Sequence, residues 1–335
     1  MKVKHNAPDN SGATYFFLKH YHNMKIASIP VFNFSKNVYN KRSVQFRGAL
    51  VRGDYFEPSV KNLYKTAKIK DLHGLSYITT ISRQEPEIPR GGDSKEFIMR
   101  INQDAIGHAI VLGYPRHKGL FLSELYTEED NNRAFRGAGT ELLKCVVEES
   151  YKRGQEGRVT CCAFHDDAPP FMFYYKNNFT ISKDDVDNLV KNAYLFNAPL
   201  QYIASRNVPL KEIFPQDMGL LYMELDTKGA EALMEGKKLY KDRICDDVAK
   251  KNIKGINYSA QFIKGSEKDE YYLQILNDDK NHDRLAFVAA LKPRTDCLCD
   301  KYFEIADLKN NFMYSDSALE DFAYELLDDL AKKYL

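Results

Sequence analysis

The residues best placed to do chemistry lie in the run Arg133-Ala134-Phe135-Arg136-Gly137-Ala138-Gly139-Thr140. An apolar, strand-like stretch over 119–127 precedes it. A helical stripe of Leu142, Leu143, Val146 and Val147 follows. Strand, glycine-rich loop and helix start together make an anion site. The first-turn N–H groups have no intrahelical acceptor, and the helix dipole favours negative charge there. Gly137 and Gly139 let a ligand approach the backbone, and Arg133 and Arg136 offer charge-assisted donors. Alone, a Gly-x-Gly before a helix is more often a packing turn than a phosphate cradle.

The next segment shifts that balance. Residues 158–165 (RVTCCAFH) read as a second buried strand, and a short helix is expected over 169–177. Pro169 and Pro170 suit its first turn, with Asp166 or Asp167 as cap, and Asn178 suits a left-handed helix end. In this order and spacing the chain resembles the GNAT superfamily of N-acetyltransferases. Gly137-Ala138-Gly139 matches the Gly-x-Gly of that family's acetyl-CoA pyrophosphate loop. Asp167, Pro170, Phe173, Tyr174, Lys176, Asn178 and Phe179 match its Asn-x-x-Ala-x-x-Phe-Tyr-x-Lys-x-Gly-Phe helix signature. Ala134 stands where the loop's first Arg or Gln belongs, with Arg133 one place early. Asp167, Pro170 and Asn178 replace the signature's Asn, Ala and Gly. The firm resemblance covers residues 96–179 and a weaker one 44–226.

The resemblance implies an acetyl-CoA-dependent transfer of an acetyl group to a primary amine by direct attack on the thioester. Such a reaction needs a route for the amine proton, donors for the developing oxyanion, and a proton or a strong hydrogen bond for the departing thiolate. Tyr174 matches the tyrosine that serves the thiolate. Tyr175 points about 100° around the helix and is the weaker candidate. Glu124, near the end of the 119–127 strand, is the candidate base, directly or through water; its bland reading is an exposed strand-end carboxylate. The resemblance further implies that the backbone of Leu125, Tyr126 and Thr127 pairs with the pantetheine amides. Arg133, Arg136, Gly137, Ala138, Gly139, Thr140 and Asp167 would hold the rest of the acetyl-CoA. The alternative is a non-catalytic protein of the same fold that binds CoA or regulates; a different acyl group or acceptor is a third reading.

These residues need elements to position them. Strands are expected at 44–51, 75–81, 96–101, 106–114, 119–127 and 158–165, with the 96–101 and 106–114 pair forming a hairpin. Helices are expected from 58 and over 138–153. Residues 83–94 read as a loop, 184–215 as an insertion with some helix, and 218–225 as a closing strand. Together they predict an α/β fold with a mixed (α+β) sheet, in which the resemblance implies two parallel strands that splay apart. The expected division is an N-terminal arm (1–43), a GNAT-like acetyltransferase domain (44–226) and a C-terminal α/β domain (227–335). In that last part, helix is expected over 230–240 and 242–251. Strands are expected over 258–263, 271–276, 285–291 and 302–308, with a final helix over 316–334.

An offset of 180 residues suggests an internal repeat. It lays Ile106–Gly113 on Ala286–Pro293, and the stripe Leu142, Leu143, Val146, Val147 on Phe322, Ala323, Leu326, Leu327. Helical stripes align readily by chance. If the repeat is real, Asp316, Ser317 and Leu319 stand opposite Arg136, Gly137 and Gly139. The C-terminal copy is then a truncated, degenerate half that holds no CoA.

Composition excludes some partners. The 335 residues carry 48 basic and 47 acidic side chains, for a net charge of +1. That argues against a nucleic acid held by bulk charge and gives no support for an anionic membrane surface. No apolar run approaches membrane-spanning length, and adjacent Cys161 and Cys162 in a buried strand do not suit a disulfide framework. A reducing, cytoplasmic setting is expected. No metal is expected. His20 and His22 have no obvious Cys or carboxylate partners nearby in sequence, and Cys297-Leu298-Cys299 lacks a second ligand pair. A calcium loop begun at Asp278 would have Asp283 at its sixth position and Ala289 at its twelfth, where Gly and Glu are needed. The acceptor amine and the oligomeric state stay open.

Overall fold

In a computed structural model, residues 62–86, 93–113, 119–127, 135–164, 170–183, 192–213, 220–265, 268–279, 285–310 and 317–335 are described. All fall within one compact unit, Pro58–Leu335. The expected arm over 1–43 and strand over 44–51 lie outside them, as do Arg133, Asp167, His165 and Asp166.

Five strands open the described chain as an antiparallel meander: β1 (Leu63–Asp71), β2 (Ser76–Gln84), β3 (Asp93–Ile101), β4 (Asp104–Gly113) and β5 (Leu120–Thr127). The helix expected from residue 58 is corrected here, because Leu63–Asp71 is strand. Its 3.6-residue stripe of Leu63, Tyr64 and Ala67 competes with an alternation in which Thr66, Lys68 and Lys70 are exposed and Ile69 is buried. Pairing with β2 decides the contest.

The chain continues through a two-residue strand β6 (Phe135–Arg136), helix α1 (Ala138–Lys152), β7 (Val159–Phe164), helix α2 (Phe171–Lys176), β8 (Thr180–Ile181), helix α3 (Asn197–Arg206), β9 (Leu220–Leu225) and helix α4 (Thr227–Met234). The nine strands form one mixed sheet in the order β6-β1-β2-β3-β4-β5-β7-β9-β8. Among the described residues its only parallel junction is β5 with β7.

A second sheet follows, wholly antiparallel: β10 (Cys245–Ile253), β11 (Ile256–Lys264), β12 (Tyr271–Asn277), β13 (Leu285–Thr295) and β14 (Lys301–Asn310), then helix α5 (Ser317–Tyr334). The helix expected over 242–251 is a second correction. Cys245–Ile253 has helix-compatible Ala and Lys, yet it pairs with β11 as an edge strand. Its exposed Asp247 and Lys250 guard that edge against further pairing.

Residues 76–84 and 256–264 begin and end 180 residues apart as β2 and β11, and each later strand and helix of the meander recurs within a few residues of that offset. Even the register shift between Ile110 and Val111 recurs between Ala290 and Leu291. The meander-plus-helix topology is therefore repeated within the chain. Leu319, opposite Gly139, is 1% exposed and belongs to the second core.

The second sheet is covered on both faces. Ile263, Tyr272, Leu276, Val288 and Ala290 join the core beneath the first sheet. Phe262, Leu273, Ile275, Phe287 and Ala289 form a separate core with Phe322, Ala323 and Leu327 of α5. That is why β12 is buried at all seven positions rather than alternating.

Candidate functional site

The junction of β5 and β7 builds the site. The two strands pair only at Leu120–Val159, Phe121–Thr160 and Leu122–Cys161. Beyond that point β5 continues to Thr127 and β7 to Phe164 with no pairing between them. On the other side of β5, Glu124 pairs with Ile110 and Leu122 with Val111, so Ser123 is an extra, bulged residue. The bulge falls where the strands part. The edge of Leu125, Tyr126 and Thr127 towards β7 has no strand partner among the described residues.

Helix α1 starts beside this opening. Gly137 is its N-cap, with φ of 94° and no side-chain cap bond. The first ladder bond runs from the Glu141 N–H to the Gly137 carbonyl at 3.0 Å. The amides of Ala138, Gly139 and Thr140 precede that ladder. The two glycines have separate reasons to be glycine. At Gly137 a Cβ would meet nothing within 4 Å, so the left-handed φ is what demands glycine. At Gly139 a Cβ would lie 2.9 Å from the Phe173 ring, so its bare Cα is filled by α2. Backbone conformation thus requires glycine at 137, and packing against Phe173 requires it at 139.

Short strand β6 pairs Arg136 with Lys70 and Phe135 with Asp71, hooking the loop onto β1. An open cavity of about 560 Å³ lies along this hook, lined by Lys68, Lys70, His73, Arg136 and Gly137 among others. Asp71, also in its lining, is occupied in a turn, accepting from the His73 and Leu75 amides at 2.8 and 2.9 Å and from the Tyr77 hydroxyl at 3.1 Å. The wall thus carries three cationic side chains, Lys68, Lys70 and Arg136, against the single carboxylate of Asp71.

Tyr174 is 7% exposed and packs its ring edge-on to Phe173 and tilted against Phe179. Burial, and then the proximity of Cys161 and Cys162, push its phenol well above the usual tyrosine range. It stays protonated at all ordinary pH values, which suits a donor. Cys161 is the last β7 residue paired with β5, so Tyr174 lies near the apex of the opening. Tyr175, the next residue, turns away into the protein and bonds Gln201 at 2.6 Å.

Glu124 is half-exposed, and its carboxylate lies 3.5 Å from His108 Nε2. His108 pairs with Tyr126 across β4 and β5, and the two rings stack 5.7 Å apart. A Cβ on neighbouring Gly107 would meet Leu142 of α1, so Gly107 faces α1 and His108, Glu124 and Tyr126 share the opposite face. Sequence reasoning missed His108. The signal was the hairpin register, which sets residue 108 beside 126 and two positions along from the partner of 124.

Among the described residues, no group of three or more His, Cys, Asp or Glu side chains is arranged to hold a metal ion. No helix there is long and apolar enough to cross a membrane. All six cysteines are free of disulfides.

No protein-family model matches the chain, and no curated protein matches it in sequence. Among solved structures, the crystal structure of nourseothricin acetyltransferase gives a TM-score of 0.27 at 15% identity, covering 48% of this chain and 82% of that one. A 32 kDa fragment of the flagellar hook protein FlgE from Caulobacter crescentus gives 0.18 at 8% identity, over 79% of this chain and 70% of that one. Neither likeness is close enough to carry an argument, so the site stands on its own geometry.

Proposed function

We propose that this chain is an acyl-CoA-dependent N-acyltransferase of GNAT type, with acetyl-CoA as acyl donor and a primary amine as acceptor. The observation that carries the reading is the parting of β5 from β7 at Leu122 and Cys161, bulged at Ser123 and set beside the uncapped start of α1. An opening of this kind accepts an extended, amide-bearing chain along one strand edge. Its phosphate-bearing end then falls at the first turn of a 15-residue helix. The bound thioester supplies an activated acyl carbon.

Each step has a residue. The backbone of Leu125–Thr127 binds the pantetheine arm, and the amides of Ala138, Gly139 and Thr140, with Arg136, bind pyrophosphate. Ser123, the bulged residue of β5, offers its N–H to the thioester oxygen. Glu124, with His108 beside it, takes the proton from the attacking amine. As the C–N bond forms and the C–S bond breaks, the Tyr174 hydroxyl donates a hydrogen bond to the leaving sulfur, which departs as the thiolate and takes its proton from solvent. Arg133 and Asp167, outside the described residues, complete the set by resemblance.

The test is calorimetric titration with acetyl-CoA, CoA and longer acyl-CoAs, followed by an amine panel read by free-thiol release. The reading expects micromolar binding and amine-dependent thiol release. Failure to bind any of them sinks it. Binding with no thiol release across the panel leaves the alternative, a CoA-binding protein without transfer.

A further inference from the structure

The segment joining the two sheets is fastened to the end of α2. Tyr175 donates to Gln201 and accepts from the Arg243 guanidinium, and Gln201 in turn donates to the Tyr240 carbonyl at 2.8 Å. Asn178, left-handed at φ 71°, donates to the Gly229 and Lys237 carbonyls at 3.3 and 3.1 Å. Its oxygen accepts from the Leu239 amide at 2.9 Å. These bonds fix the backbone on both sides of Lys238.

Lys238 is thereby delivered to the start of α1. Its half-buried ammonium lies 3.0 Å from Asn177 Oδ1, and the same oxygen accepts from the Thr140 hydroxyl at 3.1 Å. Among the described residues Lys238 has no carboxylate within ion-pair distance. Lys144 and Lys241 are close enough to act on it electrostatically, and Glu141 is already engaged with Lys144 at 2.8 Å. Burial, and then the like charges of Lys144 and Lys241, hold its pKa below the usual lysine range. A partly desolvated cation without a counter-charge is unfavourable unless an anion arrives to pair with it.

We propose that Lys238 is a ligand for the phosphate groups of the acyl-CoA substrate, so that the second half of the chain completes the substrate site of the first. The proposal rests on the acyltransferase reading and names a residue that the motif comparison does not reach.

The experiment compares full-length wild type with Lys238→Ala, Lys238→Glu and Lys238→Arg by titration with CoA, dephospho-CoA and pantetheine. Lys238→Ala should weaken CoA about tenfold, on the scale of one charge-assisted bond, and leave pantetheine binding unchanged. Lys238→Glu should weaken CoA further, and Lys238→Arg should restore most of the affinity. Without ligand, Lys238→Ala should melt no lower than wild type. If Lys238 only caps the end of α2, the alanine variant will melt lower and bind CoA as wild type does, which overturns the proposal alone. Wild type that binds no CoA overturns the acyltransferase reading and this assignment together.

Discussion

At the residue scale, the proposed chemistry separates binding from turnover. Tyr174→Phe keeps the ring that packs on Phe173 and Phe179 and removes only the hydroxyl. It should lower kcat about a hundredfold while acetyl-CoA affinity stays within twofold; unchanged kcat removes Tyr174 from the mechanism. Glu149 tests structure instead. It is 1% exposed, and its carboxylate bonds Arg83 at 2.7 Å and Arg153 at 2.8 Å. Burial pushes its pKa up, but the two guanidiniums overcome that and hold it below the usual carboxylate range. The folded value lies under the unfolded one, so its contribution is present above the ordinary glutamate pKa and is lost as pH falls through the folded value. Glu149→Gln should cost about 2 kcal/mol at pH 7, short of a fully enclosed pair because Arg83 keeps 36% of its side chain exposed. In urea melts the gap to wild type should shrink below pH 4; a constant gap refutes the linkage. Single residues were the least legible level of the sequence. Tyr174 is found by its motif, whereas His108 and Lys238 come from register and from the second half.

At the element scale, the two glycines of the loop should fail differently. Gly137→Ala should cost about 1 kcal/mol through its left-handed φ alone. Gly139→Ala drives a methyl into Phe173 and should cost about 2 kcal/mol, part of it recovered by Phe173→Leu in the same chain. Urea midpoints of the three variants decide between this packing account and one in which both glycines serve only a ligand. Deleting Ser123 removes the bulge and should abolish acyl-CoA binding while far-UV dichroism stays native. The sequence disclosed most elements, because hairpins and amphipathic helices carry their own period. It hid β1 and β10, two polar strands whose identity comes from the neighbour they pair with rather than from their own composition.

At the scale of the molecule, the two halves repeat a topology but do not stand apart. One face of the second sheet belongs to the first core, so cutting the chain after Asp226 would strip cover from Leu195, Phe196 and Leu200. A 58–226 fragment should be insoluble or bind dye as a molten globule, and calorimetry on the full chain should show one unfolding transition. A soluble, cooperatively folding fragment would refute that coupling. The offset of 180 residues was legible in the sequence as an alignment. That the second sheet is buried on both faces was not, because an apolar run does not say what covers it.

The seam between β5 and β7 also bears on how the chain folds. Every strand of both meanders pairs with its neighbour in sequence, but β7 lies between β5 and β9, each separated from it by a helix or more of chain. Distant pairings form after local ones, because the loops must close first. Val111→Ala, in β4, should therefore slow refolding, while Val159→Ala, in β7, should mainly hasten unfolding. The cleft would then be the last part of the molecule to assemble. Until it closes, the unpaired borders of β5 and β7 are open to other chains, so a bound substrate should suppress aggregation during refolding.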